Sequence, residues 1–264
     1  MLRLYVGLFL FMLFAPIVLI GLFSFNGSEA LTFPIESLSL RWYQAMFSDP
    51  QLLNAFKNSL IVGVATTVIT TILGSMTAIG LARVSGRTKT VLSLLTFFPI
   101  ALPGLFVGIA LLIMIAQFGI QRSLITVTLA HVLITIPFFV ESSRSRLEYF
   151  DLSLEEAARD LGAGPLTAFR LVTLPIIAPT LLGAAILSFA ISFDEVIITI
   201  FVSGNESTLP LFIWSMMRRS VTPLINAASM LALGSILITI VGLGILLWWQ
   251  RKRTLLQRSR NFEV

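Results

Sequence analysis

Six long apolar runs divide this chain, and no other feature restricts its fold as strongly. They lie at about 4–25, 57–82, 91–116, 124–141, 178–202 and 226–249, each near the roughly 20 residues that cross the hydrocarbon core of a bilayer. Hydrocarbon offers no water to an unpaired N–H or C=O, so each run must close its backbone hydrogen bonds within itself, as a helix. Only 12% of the residues are charged and 56% are hydrophobic, whereas an ordinary soluble domain is about 25% charged. Mean hydropathy is +0.95, and nearly all of the charge falls between the runs. The expected fold is an all-α polytopic membrane protein. It has one domain over 1–264, six transmembrane helices and a cytoplasmic two-helix loop at 142–176 between helices four and five.

Lys and Arg set the orientation. With the N-terminus inside, the inner segments hold Arg3; Arg83, Arg87 and Lys89; Arg144, Arg146, Arg159 and Arg170; and Arg251, Lys252, Arg253, Arg258 and Arg260. The outer segments hold Arg41, Lys57, Arg122, Arg218 and Arg219, so the 18 basic residues divide 13 to 5. The positive-inside rule then places both termini and the 142–176 loop in the cytoplasm of a multi-pass plasma (inner) membrane protein. The net charge of +5 is explained as topogenic charge, without nucleic acid as a partner. The first run, about 22 residues, is longer than the 7–15 of a signal-peptide core, so a retained span is expected despite a weak Ser28-x-Ala30 cleavage match. Trp248-Trp249 before Arg251-Lys252-Arg253 read as an interfacial belt and anchor. The chain has no Cys, which excludes disulfides and thiolate metal sites.

The loop after the fourth run carries a distinctive pattern: Glu155-Glu156-Ala157-Ala158-Arg159-Asp160-Leu161-Gly162, then Pro165, then Val172-Thr173-Leu174-Pro175. Ser153 and Glu156 have the spacing of a capping box, which predicts a helix start before Leu154. Leu154, Ala157, Ala158 and Leu161 form one apolar stripe, Gly162 supplies a left-handed stop, and Pro165 suits the first turn of a second helix. Helices this short fall below the roughly 12–15 residues needed for marginal stability in water, so the unit needs a surface to dock against. Glu-Ala-Ala, a Gly six residues after that Glu, and an apolar-x-Leu-Pro ten residues beyond resemble the signature loop of permease subunits of binding-protein-dependent ABC importers. The family usually has Ile where Val172 stands. In that family the loop is the coupling helix seated on the ATPase subunit. The resemblance implies this role for Glu155, Glu156, Ala157, Ala158, Asp160, Gly162, Pro165, Leu174 and Pro175. Without such a partner the segment reads as an amphipathic surface or re-entrant helix.

Two intramembrane features bear on transport. The third run contains Pro99, Pro103 and Gly104, and two prolines at i, i+4 must bend or break a helix; the break is either a hinge or pore-lining kink, or a packed one. Pro137 raises the same question in the fourth run. The fifth contains Asp194-Glu195, and each ionised carboxylate costs about 2.5–3.5 kcal/mol near mid-bilayer. On one continuous helix, Ser188, Ser192, Glu195 and Thr199 share a face, with Asp194 about 100° away. This face is expected to be an acidic substrate pathway for a cation; the alternatives are a salt bridge to another subunit or a position near the outer interface. The small and hydroxylated stripe Gly63, Thr67, Thr70, Thr71, Gly74 and Ala78 reads as helix packing. His131, the lone histidine, reads as a packed or helix-bonded residue.

Ser192-Phe193-Asp194-Glu195-Val196 running to Phe201-Val202-Ser203-Gly204, with Leu209-Pro210, Asn226-Ala227, Arg41-Trp42-Tyr43 and Asn58-Ser59, is similar to the spermidine/putrescine branch of these permeases. That branch commonly has two Asp at the acidic pair; Glu195 keeps the charge and adds a methylene. The resemblance covers essentially the whole chain. It implies a second, nonidentical permease subunit, a cytoplasmic ATPase dimer carrying ATP and Mg, an external solute-binding protein and a small organic cation as substrate, with no cofactor on this chain. Relatives carry opines, amino-acid-like and other small solutes. Gly86-Arg87-Thr88-Lys89-Thr90 lacks the spacing of a phosphate-binding loop. A membrane enzyme would need a nucleophile with its base, or converging His and carboxylates, and an ion-coupled secondary transporter has no need of the capped insert.

The charge count generates a direct expectation. In intact cells, Asp160→Cys stays unlabelled by an impermeant thiol reagent added outside and reacts after permeabilisation; labelling from outside would reverse the topology.

Overall fold

The computed structural model describes residues 2–35 and 37–261, excepting the side chains of Ser145, Leu243 and 246–261. In chain order its helices are α1 (Leu2–Ser24), α2 (Arg41–Ser48), α3 (Pro50–Arg83), α4 (Gly86–Ala101), α5 (Gly104–Gln117), α6 (Leu124–Glu148), α7 (Ser153–Asp160), α8 (Pro165–Ala168), α9 (Leu174–Asp194), α10 (Ile197–Val202), α11 (Leu209–Met217) and α12 (Pro223–Asn261). Among the described residues the β-structure is one antiparallel bridge, Asn26 to Leu38. The fold is all-α. Among the described residues five helical stretches are long and apolar enough to cross a bilayer, and α4 with α5 makes a sixth if that bent pair counts as one span. Trp248-Trp249 and the basic residues after them fall within α12, but their side chains lie outside the described residues.

The chain divides into two compact units. The first comprises Met1–Leu60 and Glu206–Ile238. Here α1 exposes apolar side chains along nearly its whole length, as a lipid-facing helix requires. The loop after it is held by side chains: Trp42 donates from Nε1 to the Asn26 carbonyl at 2.7 Å, and the Tyr43 hydroxyl lies 2.8 Å from Ser24 Oγ. Asn58 donates to the Ser207 carbonyl at 2.9 Å, and Ser59 Oγ accepts from the Leu209 N–H at 2.8 Å. The tryptophan, tyrosine, asparagine and serine singled out in sequence thus tie loops to helix ends.

The second unit, Ile61–Asn205 with Thr239–Val264, holds the main bundle. Ala78 of α3, Phe139 and Val140 of α6, and Ile177, Leu181 and Ala184 of α9 form one apolar cluster. Val62 of α3, Val107 of α5, Val127 of α6 and Ile198 and Val202 of α10 form a second. Small residues admit the close approach. A Cβ on Gly74 would lie 2.6 Å from the Phe139 ring, and one on Gly63 would lie 2.9 Å from Phe189. The small-residue stripe of α3 is a packing seam, as its sequence implied. Thr70, Thr135, His131, Ser192 and Thr199 are buried while large apolar side chains cover the outside, the inverse of a soluble core.

Phe139 is fully buried. Gly74→Val should therefore destabilise this bundle by about 1–3 kcal/mol through overpacking, read as a lowered melting temperature in detergent, whereas Gly80→Val, with open space around it, should leave the melting temperature unchanged or slightly raised, since valine is the better helix former.

Candidate functional site: a broken span and an exposed insert

The helix at Pro99 and Pro103 does break. Leu102 is extended (φ −89°, ψ 132°), and Pro103 follows in a similar conformation and caps α5. The axes of α4 and α5 differ by 97°. The Pro103 carbonyl accepts from the Phe106 N–H at 2.9 Å, so α5 restarts at once and few backbone groups are left unpaired. Pro137, by contrast, is absorbed within an uninterrupted α6.

A second break was not expected from the sequence. The fifth run does not form one helix over 178–202: α9 stops at Asp194, Glu195 turns extended (φ −73°, ψ 119°), and α10 begins at Ile197. The expectation that Ser188, Ser192, Glu195 and Thr199 share one helix face is corrected accordingly. Ser188 and Ser192 are buried on α9, and Thr199 is buried on α10. Ser188 donates to the Ala184 carbonyl at 3.0 Å. Glu195 Oε1 accepts from the Ile198 N–H at 2.9 Å, capping α10. Asp194 is exposed and makes no ion pair or side-chain hydrogen bond among the described residues. Val-Ile-Ile-Thr-Ile after the acids reads as a continuing helix, so the sequence carried no stop signal; the Glu195 side-chain cap was the one available clue.

The two half-helices that follow the breaks pack on each other. Gly104 of α5 faces Ile197 and Ile198 of α10, and Gly108 sits so close to Phe201 that a Cβ there would collide with the ring. The Pro99–Gly104 break and the Asp194–Glu195 elbow thus occupy one neighbourhood of the bundle.

The insert starts with a correction as well. Helix α7 begins at Ser153, but the Ser153–Glu156 capping box does not form. Asp151 takes that role: its Oδ1 accepts from the Ser153 N–H at 3.0 Å, and bonds from Ser153 hold its carboxyl below the usual carboxylate range. The helix ends as its sequence predicts. Gly162 has φ +89°, its N–H donates to the Arg159 carbonyl at 2.8 Å, and the Ala163 N–H donates to the Ala158 carbonyl at 3.1 Å. These two bonds are a Schellman motif. Pro165 opens α8, but the expected second short helix does not end there. It continues through a π turn, Phe169–Thr173, into α9. Pro175 has no N–H to donate to Leu171 and its ring crowds that carbonyl, and the Leu174 N–H instead reaches the Phe169 carbonyl five residues back.

Glu155 turns inward, at 9% exposure. Its Oε1 accepts from Arg83 Nη2 at 2.7 Å and from the Thr173 hydroxyl, joining the end of α3, the insert helix and the start of α9. Glu156, Ala157, Asp160 and Pro165 are exposed. So are Leu152, Leu154 and Leu166, while Leu161 is 90% exposed. The apolar stripe therefore has no partner among the described residues. Beside it, Lys89 and Arg144 bond Glu148 at 2.9 and 3.1 Å and hold that carboxyl below its ordinary range, the Lys89 bond being the larger cause.

A polytopic bundle with two interrupted spans and an exposed amphipathic insert fits a membrane permease. The chain belongs to the inner-membrane components of binding-protein-dependent transport systems, whose family model matches residues 70–254. It is 32% identical over 259 residues to the putrescine transport system permease protein PotI of Escherichia coli, covering 95% of this chain and 90% of that protein. It is 33% identical over 232 residues to the spermidine/putrescine transport system permease protein PotC of the same organism, covering 87% of each. Among solved structures, a bacterial ABC transporter that imports the acidic polysaccharide alginate superposes with a TM-score of 0.73 at 14% identity, over 92% of this chain and 93% of that one. The MetNI methionine ABC transporter superposes with a TM-score of 0.64 at 17% identity, over 76% and 96%.

The Glu155 junction yields an expectation of its own. Arg83→Ala should loosen the insert by about 1 kcal/mol, the guanidinium being half exposed and therefore screened. Trypsin cleavage at Arg159 in the detergent-solubilised protein should quicken about fivefold; Arg83→Lys should recover part of the protection.

Proposed function

We propose that this chain imports a small organic cation, a polyamine such as putrescine or spermidine, by alternating access driven by a separate ATPase. The observation that carries the reading is the elbow at Asp194–Glu195. A helix C-terminus presents about half a negative charge, and here it ends on a carboxylate with a second one next in sequence. Broken helices of this kind form substrate and ion sites in transporters, and irregular backbone survives in a membrane where it lines a cavity or is covered by protein. The names of the PotI and PotC relatives agree with a di- or polycationic substrate. In this reading Asp194 and Glu195 attract the cation, Ser188, Ser192 and Thr199 shape the elbow, and Pro99, Pro103 and Gly104 form the neighbouring hinge.

The exposed stripe of the insert is the coupling surface. Residues Glu156 to Gly162, with Pro165, seat on a cytoplasmic ATPase dimer that holds ATP and Mg, while Glu155, Leu174 and Pro175 transmit its motion into α9. This chain holds no cofactor. A second homologous permease subunit completes the pathway, an external solute-binding protein delivers the substrate, and both termini lie in the cytoplasm. ATP-driven closure moves a docked insert, which supplies the differential interaction that any coupled change requires.

The test is putrescine uptake by the complex reconstituted with its ATPase, second permease and binding protein. Glu195→Gln keeps an oxygen to cap α10 and removes the charge, so uptake should fall about tenfold, the worth of one partly screened charge pair. Gly162→Val, forced into a left-handed conformation that a β-branched residue resists, should abolish the stimulation of ATP hydrolysis by loaded binding protein. Wild-type uptake in both Asp194→Asn and Glu195→Gln would remove the cation-route reading and leave the permease class standing.

A further inference from the structure

His131 is the chain's one histidine. It sits on α6, fully buried, level with the break between α9 and α10. Its Nδ1 lies 2.9 Å from Ser192 Oγ and its Nε2 lies 2.9 Å from Thr199 Oγ1. Ser192 is in the last turn of α9 and Thr199 in the first turn of α10, so one ring bridges both sides of the break. The surrounding bonds assign its hydrogen. Thr199 has a single hydroxyl proton and donates it to the Glu195 carbonyl at 2.8 Å. It therefore accepts from the ring, which places the hydrogen on Nε2 and leaves Nδ1 to accept from Ser192. One neutral tautomer satisfies every donor and acceptor in the set.

The backbone offers little to set the angle at this point. With Glu195 extended, the helical ladder is interrupted between α9 and α10. Across the gap run the Glu195 cap to the Ile198 N–H and the Thr199 bond to the Glu195 carbonyl, followed by the first α10 backbone bond, from the Ile200 N–H to the Val196 carbonyl. A filled core needs no polar ring, because an aliphatic or phenyl group of similar size fills the space without the desolvation of two nitrogens. Directed bonds to both sides of a break do what apolar packing cannot: they fix one angle. A second polar pair ties the backbone of α6 at this level to α3. Thr135 donates to the His131 carbonyl at 2.8 Å, and Thr70 of α3 lies 2.7 Å from Thr135 Oγ1.

We propose that His131 is a positioning residue for transport: through Ser192 and Thr199 it holds the Asp194–Glu195 elbow at the angle that receives the cation. The proposal rests on the reading of that elbow as the cation route. His131 touches neither carboxylate and acts through the two hydroxyls.

The experiment uses the assembled transporter in proteoliposomes and reads two quantities. One is putrescine moved per ATP hydrolysed, which a simple loss of folded complex would leave unchanged. The other is the mobility of a nitroxide at Ile197→Cys, a half-exposed position in a chain with no native Cys. His131→Phe should lower the transport ratio at least fivefold, since one buried hydrogen bond is worth about that factor and two are lost, and should raise the label's mobility. His131→Gln, which keeps an N–H toward Thr199, should recover part of both, and Ser192→Ala added to His131→Phe should cost nothing more, because the bond to His131 is the one that Ser192 Oγ makes. If a His131→Phe complex does not assemble, Ser192→Ala, which removes the ring's bond to α9, and Thr199→Val, which removes its bond to α10 together with the bond to the Glu195 carbonyl, are expected to lower the ratio in its place. A wild-type ratio in the assembled bond-deleting variants overturns the proposal, whether or not the label's mobility changes. If Asp194→Asn and Glu195→Gln also leave the ratio intact, the cation-route reading falls with it; if those two lower it while His131→Phe does not, only the positioning role is lost.

Discussion

In a bilayer a polar group without a partner inside the protein has no water to turn to, and the main bundle is organised around that demand. The chain Thr70–Thr135–His131, with its branches to Ser192 and Thr199, links α3, α6, α9 and α10 through side-chain hydrogen bonds. Each such bond contributes about 0.6 kcal/mol on average in membranes, less than intuition suggests. Their importance lies in direction. Apolar contacts such as Phe139 against Gly74 bring helices close, but only the polar relay selects one register where a helix is broken.

The two breaks are different solutions to one problem. At Leu102–Pro103 the ring chemistry of proline removes donors and fixes an extended backbone. At Glu195 there is no proline; the side chain caps the restarting helix and a threonine hydroxyl takes the freed carbonyl. Because α5 and α10 then pack together through Gly104 and Gly108, movement of one half-helix is transmitted to the other. This pairing gives the proposed hinge and the proposed cation elbow a shared mechanical element.

The insert shows a division of labour within a few residues. Glu155 gives up its exposure to bind Arg83 and Thr173, which fixes the insert on the ends of α3 and α9. Around it Leu152, Leu154, Leu161 and Leu166 present an apolar face that none of the described residues covers. A force applied to that face reaches α9 directly, since α8 and the π turn run into it without a loop.

The all-α class, the helix seams at Gly63 and Gly74, the break at Pro99–Gly104 and the Gly162 stop were legible in the sequence. Each follows from covalent geometry or from the bilayer acting on a local stretch: proline lacks a donor, glycine lacks a Cβ, and hydrocarbon demands internal hydrogen bonds. The failures have a common cause. The Ser153–Glu156 capping box and the separate second helix of the insert were read from start and stop signals close in sequence, and the continuous face from Ser188 to Thr199 from periodicity; each assumes that local signals alone decide where a helix begins and ends. In the folded chain Asp151 captured the cap, Pro175 was accommodated by a π turn, and Glu195 left the helix to cap the next one. His131 read as no more than a packed or helix-bonded residue for the same reason: its partners lie 61 and 68 residues away, and only the packing of α6 against α9 and α10 brings one ring within reach of both sides of a break.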